Sequence, residues 1–145
     1  MRICAQVTVA HGERTDVWAG INMRVLVIED ETTLADAVAR GLRRHGADVD
    51  VAYDGDDGFT KVTSEGYDVL VLDRDLPGMS GDDICRSVTD GGLPVRVLML
   101  TASVSAKDVE TGLALGAADY VSKPFSFADL LQRVQALAAA SPRGA

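Results

Sequence analysis

Histidine and cysteine are scarce in this chain, with two of each among 145 residues. Cys4 and Cys85 lie far apart and match no metal-ligand spacing, which excludes a thiolate zinc centre. They fit a reducing compartment in which a free cysteine packs as a small apolar residue. His11 precedes the first strand pattern, and His45 falls in the last turn of a helix, where a cation complements the dipole. Positive charge is the minority: 14 Lys and Arg against 22 Asp and Glu give a net charge of −8. With no basic run present, a dominant electrostatic contact with nucleic acid or an anionic membrane is excluded. No apolar run reaches membrane-spanning length, and the N-terminus lacks the basic start and apolar stretch of a signal peptide, so a cytoplasmic location is expected. The hydrophobic content of 47% suits one globular domain with a full core.

Four short apolar runs each end on a polar group. Val25-Leu26-Val27-Ile28 leads into Glu29 and Asp30, Val69-Leu70-Val71-Leu72 into Asp73, Val97-Leu98-Met99-Leu100 into Thr101, and Tyr120-Val121-Ser122 into Lys123. Continuous apolar runs bounded by turn residues read as strands of a parallel sheet buried on both faces. Ligands in such sheets bind outside the carboxyl ends of the strands, so three acids, a hydroxyl and an amine are expected on one rim.

Helical patterns separate the strands. The first is expected to start near Thr33 with a Thr33/Asp36 capping box, to bury Leu34, Val38 and Leu42, and to stop at Gly46. Phe59 and Val62 mark a second helix closed by Gly66, Ile84, Cys85 and Val88 a third closed by Gly91, and Val109 and Leu113 a fourth closed by Gly116. Capping boxes recur at Ser105 with Asp108 and at Ser126 with Asp129, and the last helix buries Leu130, Val134 and Leu137 before a Ser141-Pro142 stop. Asp48-Val49-Asp50-Val51 alternates strictly, as an edge strand with one wet face does. Five β-α units joined by right-handed crossovers, with the second strand at an edge, predict an α/β fold: a doubly wound five-stranded parallel sheet in the order 2-1-3-4-5, a flavodoxin-like three-layer sandwich. Residues 23–140 form this unit, residues 1–22 read as an extension that is either loosely attached or adds a strand over 5–10, and residues 141–145 read as a tail or linker stub.

The switch point of that order lies between the first and third strands, with Glu29 and Asp30 on one side and Asp73 on the other. A single acid at a strand end is ordinarily a helix cap or a solvated loop residue. Three converging acids need a divalent cation, and Mg²⁺ takes one or two carboxylates together with water and phosphate oxygens. Asp73 is the best nucleophile, because it follows a buried run and precedes the fixed turn Leu76-Pro77-Gly78, and carboxylates form acyl phosphates. Thr101 taken alone is a β-branched strand residue; beside Asp73 its hydroxyl can donate to a phosphoryl oxygen, with small Ala102 leaving room. Lys123, directly before Pro124, relieves the crowding of the acids. Tyr120 reads equally as a half-buried edge aromatic or as a functional residue.

These residues closely resemble the receiver domain of two-component response regulators over about Met23 to Ala140. Val27-Ile28-Glu29-Asp30-Glu31, Leu72-Asp73-Arg74-Asp75-Leu76-Pro77-Gly78, Leu100-Thr101-Ala102 and Lys123-Pro124-Phe125 stand in the family's order and spacing. The resemblance implies that Asp73 is the phosphoacceptor for a phosphohistidine of a sensor histidine kinase. It further implies that Asp30, Asp73 and the backbone carbonyl of Asp75 coordinate Mg²⁺, with Glu29 acting mainly through water. Lys123 and Thr101 are then expected to bind phosphoryl oxygens, Tyr120 to turn inward as Thr101 moves, Asp75 and Ser103 to tune phosphoryl lifetime, and the Lys123-Pro124 bond to be cis.

Gly112-Leu113 followed by Gly116-Ala117-Ala118-Asp119-Tyr120 resembles the OmpR/PhoB branch, whose receivers form homodimers through the fourth helix, fifth strand and fifth helix to pair winged-helix DNA-binding domains. Ala118 replaces that branch's second acid, and Gln135, Ala138 and Ala139 replace basic residues of its last helix, leaving Arg133 and Asp119 as cross-dimer candidates. The rival reading is a small aspartate-nucleophile phosphatase of haloacid-dehalogenase type, which shares the Asp73-Arg74-Asp75 pattern. Those enzymes place their acidic metal pair last in the chain, whereas Glu29 and Asp30 come first here. A nucleotide-binding module of flavodoxin type would need a glycine-rich loop after the first strand, and the sequence there is acidic.

Overall fold

The structure, a computed structural model, describes residues 23–102 and 105–141. Among the described residues five strands and five helices alternate: β1 (Arg24–Ile28), α1 (Thr32–Arg44), β2 (Asp48–Ala52), α2 (Gly55–Ser64), β3 (Val69–Asp73), α3 (Gly81–Asp90), β4 (Arg96–Thr101), α4 (Ala106–Ala114), β5 (Asp119–Ser122) and α5 (Phe127–Ala140). The strands form one parallel sheet in the order β2-β1-β3-β4-β5, as the edge character of β2 predicts.

The two-residue period of a strand divides its side chains between two cores. Val25, Val27, Val69, Val71, Leu98 and Leu100 face α1 and α5, where they meet Ala35, Val38, Leu42, Leu130, Val134 and Ala138. Leu26, Ile28, Leu70, Leu72, Val97 and Met99 face the opposite layer and meet Val62 of α2 with Ile84, Cys85 and Val88 of α3. Each fully buried aliphatic side chain stabilises the fold by about 1.5 to 3 kcal/mol relative to exposure, so the central strands are its most firmly held part. Burial pushes the Cys85 thiol up to about 11, which keeps it neutral and apolar in this layer.

The register sets the site. Ile28 pairs with Leu72, and Asp73 with Leu100, so Glu29 and Asp30 leave the sheet beside Asp73 at the β1/β3 switch point. Leu76-Pro77-Gly78 turns the chain away, with Gly78 in the left-handed region at φ 73°.

Several local expectations are corrected. The Thr33/Asp36 capping box does not form: α1 begins at Thr32, Glu31 is its N-cap without a side-chain cap, and Asp36 accepts from the Tyr53 hydroxyl instead. α2 ends at Ser64 with Glu65 as its extended cap, so Gly66 lies beyond the helix end. Leu113 is 50% exposed, and the buried residue of α4 is Gly112. In α5 Ala138 is fully buried while Leu137 packs only in part. The Ser105 and Ser126 caps form, their hydroxyls accepting from the Asp108 and Asp129 amides. The 1–22 extension with its 5–10 strand, Cys4, His11, Ser103 and residues 142–145 lie outside the described residues.

Candidate functional site

Each polar residue of the rim is carried there by the end of a strand. Asp73 closes β3 and Thr101 closes β4, and at 3% and 2% exposure both belong to the buried interior. Glu29 follows β1 at 1% exposure, while Asp30 beside it is exposed to solvent. Lys123 follows β5; its amide donates to the Thr101 carbonyl at 2.8 Å, and the Lys123-Pro124 bond is cis.

One carboxylate oxygen from each of Glu29, Asp30 and Asp73 lies within 4.8 Å of the others. Lys123 Nζ stands 2.7 Å from Glu29 Oε1 and 3.4 Å from Asp73 Oδ2. Asp73 Oδ1 accepts from the Asp75 amide at 3.1 Å, and Glu29 Oε2 accepts from the Glu31 amide at 3.2 Å. The Asp75 side chain itself is exposed on the loop. Four of the five rim side chains expected together, those of Glu29, Asp30, Asp73 and Lys123, converge; Thr101 ends β4, the strand beside β3.

One ammonium does not neutralise three carboxylates. Burial, together with a hydrogen bond and charge repulsion from Glu29, pushes the Asp73 carboxyl up to about 7 against the opposing pull of the Asp75 amide and Lys123. Burial lowers Lys123, but the adjacent Glu29 and Asp73 outweigh it and hold its pKa above the usual lysine value. Glu29 Oε1 is fully buried with no aligned hydrogen bond, its one described neighbour of opposite charge being the lysine ammonium. A crowded, all-oxygen acidic cluster with such an oxygen is what a hard divalent cation and its waters would satisfy. The residues fit that group.

Tyr120 is half-buried on β5, and its hydroxyl donates to the Asp108 carbonyl of α4 at 3.2 Å. Gly112 makes this approach feasible, since a Cβ there would lie 1.2 Å from the tyrosine oxygen. Arg74 was missing from the residues picked out in the sequence. Its guanidinium reaches Asp82 of α3 with Nε–Oδ1 at 2.8 Å and Nη2–Oδ2 at 3.1 Å, and Nη1 donates to the Asp108 carbonyl at 3.1 Å and to the Tyr120 hydroxyl at 3.3 Å. The available signal was a charged residue one position past a fully apolar strand. Arg133 donates to both oxygens of Asp119 at 2.9 Å within the same chain, so these two residues already have a partner in the single subunit.

The response regulator receiver domain family matches residues 25–135 of this chain. The chain belongs to that family. The receiver is 56% identical over 115 residues to the transcriptional regulatory protein CutR of Streptomyces coelicolor, covering 79% of this chain and 53% of that protein. It is 42% identical over 113 residues to the transcriptional regulatory protein DltR of Streptococcus agalactiae, covering 78% and 50%. Among solved structures it resembles the Thermotoga maritima OmpR/PhoB homologue DrrB, with a TM-score of 0.73 and 33% identity over 79% of this chain and 52% of that one. A Francisella response regulator receiver domain superposes with a TM-score of 0.79 at 30% identity, covering 82% of this chain and 98% of that one. The receiver thus spans about half the length of the curated relatives it matches. The haloacid-dehalogenase reading gains no support from these relatives, which are regulators. No described helix is long and apolar enough to cross a membrane.

Proposed function

We propose that Asp73 is the phosphoacceptor of this receiver and that a sensor histidine kinase supplies the phosphoryl group. The observation that carries the reading is the convergence of a buried Asp73 carboxylate with Glu29, Asp30 and the Lys123 ammonium at the switch point of the sheet. In the transfer, an Asp73 carboxylate oxygen forms a bond to phosphorus as the P–N bond of a phosphohistidine breaks, and the electron pair stays with the imidazole. Mg²⁺, held by Glu29, Asp30, Asp73 and the Asp75 carbonyl, would supply neutralising charge for the incoming phosphoryl oxygens. Lys123 offers its ammonium to one phosphoryl oxygen and Thr101 its hydroxyl to another. The receiver is not a turnover enzyme on an external substrate, because the group it takes becomes its own side chain.

A phosphoryl group adds nearly two negative charges and three strong acceptors, enough to draw Thr101 toward Asp73 and Tyr120 after it. The face built from α4, β5 and α5 then changes, and the relatives' names support control of transcription as its use. Phosphorylation-driven homodimerisation through this face is part of the proposal, and a light-scattering mass that stays unchanged with beryllium fluoride and Mg²⁺ would remove it. Phosphotransfer itself is tested by intact mass after incubation with acetyl phosphate and Mg²⁺. The wild type is expected to gain about 80 daltons, and the Asp73→Ala variant nothing. Turnover of p-nitrophenyl phosphate would restore the phosphatase reading.

A further inference from the structure

α4 is held to the body of the domain in an unusual way. Its buried residue is a glycine, Val109 is only half-buried, and Leu113 points to solvent, so little apolar burial fixes it. Its inner face offers the Asp108 carbonyl, laid open because Gly112 one turn later has no side chain over it. Both the Tyr120 hydroxyl and Arg74 Nη1 donate to that oxygen.

We propose that Arg74 is an ionic latch that fixes α4 and Tyr120 in the arrangement adopted before phosphorylation. The planar guanidinium is suited to this position. Nη2 donates to Asp82 Oδ2 and Nε lies in ion-pair contact with Oδ1, which orients the guanidinium from α3 and leaves Nη1 aimed at α4 and β5. Its backbone is pinned as well, with the Arg74 amide donating to Leu100 at 2.9 Å and the Arg74 carbonyl accepting from Gly81 at 3.2 Å. The side chain is 14% exposed, so its hydrogen bonds are shielded from water. Arg74 is therefore a positioning residue, covalently next to Asp73 and in contact with the helix that Asp73 is proposed to move. An inward turn of Tyr120 would have to break the contacts to Nη1 and to the Asp108 carbonyl, so the latch opposes that turn.

The proposal rests on the reading of Asp73 only for its consequence, because the latch can be measured in protein that has never met a phosphoryl donor. Hydrogen exchange of the full chain without phosphoryl donor is compared between wild type and Arg74→Met, which keeps the apolar stem. Loss of two shielded hydrogen bonds is expected to raise exchange across residues 106–114 about tenfold while that of β1, β3 and α1 stays at wild-type rates. Arg74→Lys, whose ammonium lacks the fork, is expected to loosen α4 to a similar degree, and Asp82→Asn to do so in part. In a second measurement, Arg74→Met is expected to gain its acyl phosphate from acetyl phosphate several-fold faster than wild type. Wild-type exchange in α4 of Arg74→Met, full rescue by lysine, or a rise spread evenly over all elements would overturn the latch. If no variant or wild type is phosphorylated, the reading of Asp73 fails and the exchange result still stands or falls alone.

Discussion

Replacing Asp73 with asparagine is expected to stabilise the metal-free receiver while abolishing its proposed chemistry. Glu29 and Asp73 are both buried within reach of one lysine, and the Asp73 carboxyl is pushed from 3.8 up to about 7. An acid that the folded state holds protonated contributes stability that is fully present below the ordinary carboxyl pKa and is lost as pH rises to the folded value. The loss therefore runs from about pH 4 to about pH 7, and above that the folded protein carries the full cost of a second buried carboxylate beside Glu29. At 1.36 kcal/mol per pH unit that cost has a ceiling of about 4 kcal/mol, and relaxation with water entry at the rim leaves about 2 kcal/mol. For a domain of this size, about 2 kcal/mol moves the melting temperature by about 8 °C. Thermal melts followed by circular dichroism should show Asp73→Asn melting above wild type by about that amount near pH 8, with the gap closing toward about pH 4. Mg²⁺ at tenfold its dissociation constant should recover about 1.4 kcal/mol in wild type and less in the variant. An asparagine variant that melts at or below wild type at high pH without metal would refute the reasoning, because burial beside Glu29 would then not disfavour the Asp73 charge in the folded state.

Two further outcomes are expected. Gly112→Ala should destabilise the domain by about 1 to 3 kcal/mol, since its Cβ would fall on the Tyr120 hydroxyl; thermal melts of the single variant and of Gly112→Ala with Tyr120→Ala should show strong non-additivity. Replacing Asp75, whose side chain is exposed and which meets the site only through its backbone, should change the rate at which the acyl phosphate decays while leaving the melt within about 0.5 kcal/mol of wild type; an unaltered decay followed by intact mass would count against its role.

The strands and the site were legible in the sequence for one physical reason. In a parallel sheet covered on both faces, every residue of a strand must be apolar until the strand leaves the sheet, so the first polar residue marks its carboxyl end. Glu29, Asp73 and Thr101 are marked in that way, whereas in the edge strand β5 the polar Ser122 precedes Lys123; the alternation of Asp48-Val49-Asp50-Val51 set the other edge and hence the strand order. Helix faces were less legible where packing does not follow hydrophobicity. Leu113 has the spacing of a buried position, but α4 meets the domain through Gly112 and a backbone carbonyl, and an absent side chain leaves no apolar signal. The Thr33/Asp36 box failed because Asp36 finds the Tyr53 hydroxyl from β2's far end, a partner 17 residues away that no local rule contains. Arg74 was overlooked for a similar reason: its partners Asp82, Asp108 and Tyr120 come from three different elements.

The central claim is that the carboxylate of Asp73, rather than its acidic neighbours, carries the phosphoryl group. Borohydride reduces an acyl phosphate to a primary alcohol, so treating the phosphorylated receiver with borohydride and sequencing its peptides by mass spectrometry reads the site directly. The account predicts homoserine at position 73 and intact aspartate at positions 30 and 75. Homoserine at either neighbour, or at no position in protein that has gained the phosphoryl mass, would contradict it.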